Sequence, residues 1–95
     1  MADTGVATAS VLDAALELNP QVALRPEPFG ALAYHYGNRR LVFLKHLDVV
    51  NVARNLSAYA SLADTLQACG IAPARWPNFA DAFESLKSSE IVRER

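Results

Sequence analysis

Apolar positions in the second half of the chain recur at the spacing of an α-helix. Leu47, Val50, Ala53 and Leu56 form one stripe, so that a single face of the segment is apolar. Asp48 lies in the expected first turn, where the helix dipole favours a negative charge. This pattern predicts an amphipathic first helix that begins near residue 47.

Residues 61–71 carry the start and stop signals of a second, shorter helix. Ser61 and Asp64 have the spacing of a capping box. Gly70 followed by Ile71 is typical of a Schellman ending, in which the apolar residue packs back on Leu66. We therefore expect a helix that begins after residue 61 and ends before residue 70.

A third helix is predicted from Asn78 to about residue 87. Asn78 is a favoured N-cap residue, and Asp81 completes the capping box. The apolar face of this helix consists of Phe79, Ala82, Phe83 and Leu86. The turn-rich residues 73–77 contain Trp76, whose ring is expected to staple the connection to the core.

The first half of the chain alternates at the period of a β-strand. Residues 22–25 fit a short strand, which the prolines at positions 26 and 28 are expected to end. Residues 31–36 and 39–44 flank Gly37 and Asn38, a two-residue connection that tolerates the positive φ of hairpin turns. The sequence thus predicts three antiparallel strands before the three helices.

The hairpin register assigns each side chain to one face of the sheet. The large side chains share one face, with the pairs Leu32 and Phe43, Tyr34 and Leu41, Tyr36 and Arg39. The small or polar side chains share the other, with the pairs Ala31 and Leu44, Ala33 and Val42, His35 and Arg40. We expect the first face to pack on the core and the second to meet water or a partner.

Both ends of the chain are expected to lie outside the main domain, which spans residues 19–87. Residues 1–18 form an N-terminal segment whose first nine residues are small, polar and expected to be mobile. From Ser10 the pattern favours a short helix to Leu18, but alternation at Leu16 and Leu18 equally fits a strand. Residues 88–95 are expected to fray, unless Ile91 and Val92 dock as a short wing.

Three strands followed by three helices predict an α+β fold of the winged helix-turn-helix kind. In this order residues 39–45 form the last strand of the sheet, and they contain no proline, glycine or inward charge that would block pairing. Such an open edge fits a peptide that adds as an extra strand, with alternate side chains in a groove beside a nearby helix. The N-terminal segment covering the edge is the competing explanation.

Composition narrows the function further. The 95 residues, of 10.3 kDa, support one small core and disfavour a substrate cavity with a catalytic shell around it, so we expect no enzyme. The net charge of −1 gives no basic field for nucleic acid. One cysteine and two histidines provide no metal or cofactor site. No secretion signal or membrane span is apparent, which predicts a cytoplasmic protein without a membrane partner.

Residues 19–45 resemble a known family. The run Asn19-Pro20-Gln21-Val22-Ala23-Leu24-Arg25-Pro26-Glu27-Pro28-Phe29-Gly30-Ala31-Leu32-Ala33-Tyr34-His35-Tyr36-Gly37, with Arg39-Arg40-Leu41 and Phe43-Leu44-Lys45, is similar to the mycofactocin-biosynthesis chaperones. These are stand-alone precursor-peptide recognition elements, similar to the pyrroloquinoline quinone chaperone. The helical half agrees with the family in order and length more than in identity. His46 departs from it, because a small helix-starting residue such as serine is expected there.

The resemblance implies a non-catalytic chaperone in the maturation of a peptide-derived redox cofactor. Such a protein grips its precursor peptide and presents it to a radical S-adenosylmethionine maturase, which decarboxylates and crosslinks the C-terminal Val-Tyr end of the peptide. The peptide pairs with the third strand and lies in a cleft against the third helix. Carried over to this sequence, the peptide-binding residues are Arg39, Arg40, Leu41, Val42, Phe43, Leu44, Lys45, Phe79, Ala82, Phe83 and Leu86.

Charge and hydrogen bonding at this edge lead to two further expectations. Arg39, Arg40 and Lys45 form a cationic cluster, which predicts an acidic segment in the peptide. A proline at Val42 is expected to block the added ladder.

Two alternatives from other classes stay open. A winged-helix DNA-binding or regulatory domain has the same order of elements, although Asp64, Asp81 and Glu84 leave the second and third helices a poor face for phosphates. A small structural adaptor that dimerises through its open edge is the other.

Overall fold

A computed structural model of the chain describes residues 11–95. The expected mobility of residues 1–9 and the expected cap at Ser10 lie outside this range. The described elements, in chain order, are strands β1 (Leu16–Leu18), β2 (Val22–Glu27), β3 (Gly30–His35) and β4 (Leu41–Leu44), helix α1 (Leu47–Asn55), a 3-10 turn (Leu56–Ala58), helix α2 (Leu62–Ala68), a second 3-10 turn (Pro73–Arg75), helix α3 (Trp76–Ser88) and strand β5 (Val92–Glu94). The expected α+β class is therefore confirmed.

The strands form two antiparallel sheets. The larger has the order β2-β3-β4, and its β3–β4 register is the predicted one, with Leu32 opposite Phe43 and Ala33 opposite Val42. Strand β2 runs to Glu27, past the proline that was expected to end it. The Tyr36 amide donates to the Gln21 carbonyl at 2.8 Å, so the odd-numbered residues on the β2 side form the hydrogen bonds to β3. Pro26 is even-numbered, and its nitrogen points away from β3. Its missing N–H therefore removes no bond from the ladder.

The two faces of this sheet are the reverse of the expectation. Ala31, Ala33 and His35 are buried, whereas Tyr36 and Leu41 are 63% and 62% exposed. Helix α1 contacts β3 on the buried face, where small side chains let a helix backbone come close to the sheet. The prediction from side-chain size was wrong because the core is filled by the large apolar residues of the helices, while most of the sheet's aromatic side chains face outward.

The smaller sheet joins the two ends of the described chain. β1 pairs with β5, with Leu16 opposite Glu94 and Leu18 opposite Val92. Of the two predictions for residues 16–18, the strand is the observed one, and among the described residues before it, 11–13 are helical. Of the two expectations for residues 88–95, docking of Ile91 and Val92 is the observed one, because both side chains are buried. Burying these side chains offsets the entropy of ordering the last residues.

The helices follow the predicted stripes except at Leu47, which is 60% exposed, and one helix boundary differs from the prediction. At α2 the Ser61 hydroxyl accepts from the Asp64 amide at 3.1 Å, and the Ile71 amide donates to the Leu66 carbonyl at 3.0 Å, which confirms both the cap and the Schellman ending. Helix α3 begins at Trp76, two residues before the predicted cap. The proline at position 77 is tolerated in this first turn, because its missing N–H has no partner there in any helix.

Trp76 fastens the connection between α2 and α3, as expected. Its ring is half-buried against the core, and its indole Nε1–H donates to the Ile71 carbonyl at 2.9 Å. The α3 residues Phe79, Phe83 and Leu86 are buried. Within residues 11–95, no helix combines the length and the apolar character needed to cross a lipid bilayer.

Candidate functional site

Strand β4 is one edge of the three-stranded sheet, and the direction of its hydrogen bonds is fixed by the turn that precedes it. The His35 amide donates to the Arg40 carbonyl at 2.9 Å, so these two residues form a hydrogen-bonded pair. In an antiparallel ladder such pairs alternate, which directs the amides and carbonyls of Val42 and Leu44 toward β3. Those of Leu41 and Phe43 point away from the sheet and form its free edge.

The expected edge is thus shorter than the sequence suggested. Arg39 has a positive φ of 64° and belongs to the turn, and Arg40, whose amide donates to the Asn38 side-chain oxygen at 2.9 Å, lies between the turn and the strand. The expected two-residue connection at positions 37 and 38 is wrong for the same reason. The turn occupies residues 36–39, and strand β4 starts at Leu41.

The buried imidazole of His35 holds this turn in place. Its Nδ1 accepts hydrogen bonds from the Gly37 and Asn38 amides at 3.0 and 3.1 Å. The side chain is 3% exposed, contrary to the expectation that it faces water. A Cβ at Gly37 would lie 2.8 Å from the imidazole Cε1, so the close approach requires glycine. His35 therefore serves to position the start of β4.

The other edge of the sheet, β2, is less suited to accept a strand. In β2 the amides of the even-numbered residues face outward, and one of these positions is Pro26, which has no N–H. The outward amide of Val22 already donates to the Asn19 carbonyl at 2.9 Å. Of the two edges of this sheet, β4 is the one that offers free donors and acceptors without a proline.

A groove runs between β4 and α3. One cavity of about 260 Å³ separates the two elements. It is lined by Val42, Phe43, Leu44, Lys45, His46, Val49, Ala82, Ser85 and Leu86. A second cavity of about 380 Å³ lies toward the beginning of α3 and is lined by His46, Val49, Arg75, Asn78, Phe79 and Ala82. The two cavities share three lining residues, so they form one continuous groove.

The structure brings seven of the eleven sequence-predicted site residues to this groove. These are Val42, Phe43, Leu44, Lys45, Phe79, Ala82 and Leu86. Arg39, in the preceding turn, and Arg40, directly before the strand, are exposed to solvent. Leu41 contributes backbone to the free edge, but its side chain is on the outer face of the sheet. Phe83 is fully buried in the core and lines neither cavity.

Five groove residues were missed by reasoning from the sequence. They are His46, Val49, Arg75, Asn78 and Ser85. His46 gave a signal as the departure from the family pattern, and Asn78 was assigned to a helix cap that the structure does not contain. Arg75 gave no signal, because its approach to the groove depends on how the turn before α3 folds.

Charge is concentrated around the groove. Lys45 lines one cavity and Arg75 the other. Arg39, Arg40 and Lys45 form no ion pair within the part of the chain that the structure describes. Arg75 contacts Asp48 at 2.9 Å, and its guanidinium carbon lies 5.3 Å from the centre of the Phe79 ring. The predicted cationic cluster therefore brackets the free edge at both ends, and Arg75 adds a further cation.

The environment of Cys69 and the distribution of potential metal ligands bear on redox and metal chemistry. Burial, and secondarily the negative charge of Asp48, raise the pKa of the Cys69 thiol, which disfavours the reactive thiolate. Across residues 11–95, no three side chains of His, Cys, Asp or Glu cluster in a way that would hold a metal ion.

Comparison with known proteins gives consistent matches. The model of the peptide chaperone MftB family matches residues 15–93. The peptide chaperone MftB of Mycobacterium tuberculosis is 36% identical over 83 residues, covering 87% of this chain and 76% of the relative. That of Mycolicibacterium smegmatis is 40% identical over 80 residues, covering 84% and 78% respectively. No solved structure matches.

Proposed function

This chain belongs to the peptide chaperone MftB family, and from that membership we propose that it binds a precursor peptide by strand addition on β4. Its relatives are peptide chaperones, and the chain is accordingly a non-catalytic protein. The single observation that carries the binding mode is an open sheet edge, at Leu41 and Phe43, that borders a groove against α3.

The edge provides register, and the groove provides affinity. The amides and carbonyls of Leu41 and Phe43 allow about four ladder bonds, each contributing roughly 0.5–1.5 kcal/mol net. A disordered peptide loses conformational freedom when it binds, so these bonds alone give weak association. Alternate peptide side chains on the groove side then bury apolar surface against Val42, Ala82 and Leu86, which adds the missing free energy.

Charge favours an acidic peptide. Arg39 and Arg40 precede the edge, Lys45 follows it, and all three are exposed. Cations at both ends of a short strand accelerate association with a segment of opposite charge and discriminate against basic segments. This supports the acidic precursor that the sequence led us to expect.

The bound peptide is presented to a radical S-adenosylmethionine maturase, which supplies the chemistry. A protein-bound iron–sulfur cluster is held mainly by several cysteine thiolates, whereas this chain has one cysteine. Strand addition leaves the remainder of the peptide free to enter a second protein. The order β2-β3-β4 followed by α1, α2 and α3 also fits the winged helix-turn-helix type that we propose for this domain.

An amide NMR titration of the isotope-labelled chain with the synthetic precursor peptide tests this function. We expect shifts at Leu41 and Phe43 on the edge and at Ala82 and Leu86 in the groove. A DNA duplex of matched charge is the control, and it should produce none. Peptide shifts confined to other surfaces would contradict strand addition on β4, and a response to DNA at α2 or α3 would favour a regulatory domain.

A further inference from the structure

The end of the groove nearest the start of α3 differs from the part beside β4. There, three polar side chains, those of His46, Arg75 and Asn78, stand around an apolar floor. The floor consists of Val49, Phe79 and Ala82. The cavity of about 380 Å³ is larger than the one beside β4, and the two are continuous because they share His46, Val49 and Ala82.

Arg75 is held in position at this end. Its Nη2 donates to the Asp48 carboxylate at 2.9 Å, and its guanidinium lies over the Phe79 ring, which itself lines the cavity. A guanidinium has five N–H donors, and only this one is used within residues 11–95. The side chain stays about half exposed, at 51%. Arg75 is therefore oriented by two contacts while most of its donors remain available.

The remaining polar side chains at this end are also available. Those of His46 and Asn78 form no hydrogen bond within residues 11–95, and both residues are exposed. Asp48 is the carboxylate in contact with Arg75, while Asp81 and Glu84, farther along α3, do not line the cavity. The arrangement provides donors and a planar cation, but no carboxylate of its own among the lining residues.

We propose that this end of the groove binds a carboxylate of the peptide, with Arg75 as its principal partner and His46 and Asn78 as additional donors. The guanidinium fork matches a carboxylate in geometry and charge. The inference rests on the proposed function, because it requires a peptide on β4. The carboxylate belongs to an acidic side chain or to the C-terminus of the peptide, and the two sources share this chemistry.

The test exploits the opposite effects expected at the two members of the ion pair. Arg75→Gln should weaken peptide binding about tenfold, since a hydrogen bond to a charged group is lost. Asp48→Asn should strengthen it by about two- to fivefold, because the competing carboxylate no longer neutralises Arg75. If the ion pair only supported the fold, breaking it from either side would weaken binding or leave it unchanged.

Peptide variants identify the group that is bound. An amidated C-terminus and single Asp→Asn or Glu→Gln replacements are each titrated against the wild-type chain and against Arg75→Gln by calorimetry. The variant lacking the correct carboxylate should lose affinity with the wild-type chain, and Arg75→Gln should then cause no further loss. Circular dichroism verifies that each protein variant is folded, and Asp48→Asn provides the test if Arg75→Gln does not fold.

The outcomes separate the two proposals. The carboxylate site alone is overturned if the wild-type chain binds the peptide at β4 and Arg75→Gln binds it with the same affinity. It is also overturned if every peptide variant loses the same affinity for both proteins. Failure of the wild-type chain to bind the peptide overturns the proposed function and this site with it. Opposite shifts for Arg75→Gln and Asp48→Asn, together with non-additive loss for one peptide variant, support the site.

Discussion

A proline at Phe43 gives the most direct test of strand addition. The Phe43 amide points away from β3, so proline removes a donor from the free edge without removing a bond from the β3–β4 ladder. Its ring also occupies the space that an incoming strand needs. Val42→Pro, which the sequence first suggested, would instead remove a ladder bond within the sheet, because the Val42 amide points toward β3.

The expected loss of peptide affinity follows from one peptide carbonyl that is left without a hydrogen-bond donor. A peptide carbonyl that loses its donor at a partly buried edge costs about 1–3 kcal/mol, which corresponds to a roughly 5- to 150-fold weaker Kd. Phe43→Ala is the matched control, because it removes the same ring, which is 42% exposed and packs on Phe29 at 5.0 Å between centroids, but keeps the N–H. The difference in Kd between the two variants therefore reports the contribution of the Phe43 backbone N–H to peptide binding.

The assay is fluorescence anisotropy of a labelled precursor peptide, with urea denaturation to compare stability. We expect Phe43→Pro and Phe43→Ala to unfold at similar urea concentrations and to differ at least about fivefold in Kd. A folded Phe43→Pro variant that binds within about twofold of Phe43→Ala would refute the assignment of this edge.

Three further predictions follow from the structure. Replacing Arg40 and Lys45 with Glu should weaken peptide binding about tenfold at low salt. The difference in Kd between this variant and the wild-type chain should become smaller near 1 M salt, where the Debye length is about 3 Å. An equal loss of affinity at low and high salt would contradict an electrostatic role. Ala33→Leu should lower the free energy of unfolding by about 1–3 kcal/mol through overpacking, whereas Leu41→Ser, on the outer face, should change it by no more than about 0.5 kcal/mol in urea denaturation. The thiol of Cys69 should react with iodoacetamide more slowly in the folded chain than in urea, because its raised pKa and partial burial reduce the thiolate, and equal rates would argue against this.

Local signals in the sequence were sufficient wherever the interaction is itself local. The Ser61 cap and the Schellman ending at Gly70 and Ile71 connect residues only a few positions apart, and both are present as predicted. The β3–β4 register was also predicted correctly, because a hairpin brings neighbouring segments together. The family resemblance in residues 19–45 covered both strands of that hairpin and indicated the edge.

Predictions were less complete where the structure depends on contacts between residues that are far apart in the sequence. Leu18 and Val92 lie far apart in the sequence, and their pairing in a second sheet has no signature in either short segment. The same limitation applies to Arg75, which meets the groove only through the turn that precedes α3. Groove residues on α3 were predicted from its apolar stripe, but the stripe did not distinguish Phe83, in the core, from Phe79 and Leu86, which also line the groove.

The sequence by itself determined the strand-then-helix order, the hairpin register, both ends of α2 and the family. Tertiary structure alone decided which face of the sheet is buried, because alternation defines two faces but does not say against which one α1 packs. Small residues such as Ala31 and Ala33 were taken for the outer face, yet their size is what allows the close helix contact. Which face is buried depends on both packed elements, the strand and the helix against it. The residue pattern of a strand describes the strand alone and does not indicate on which face the helix packs.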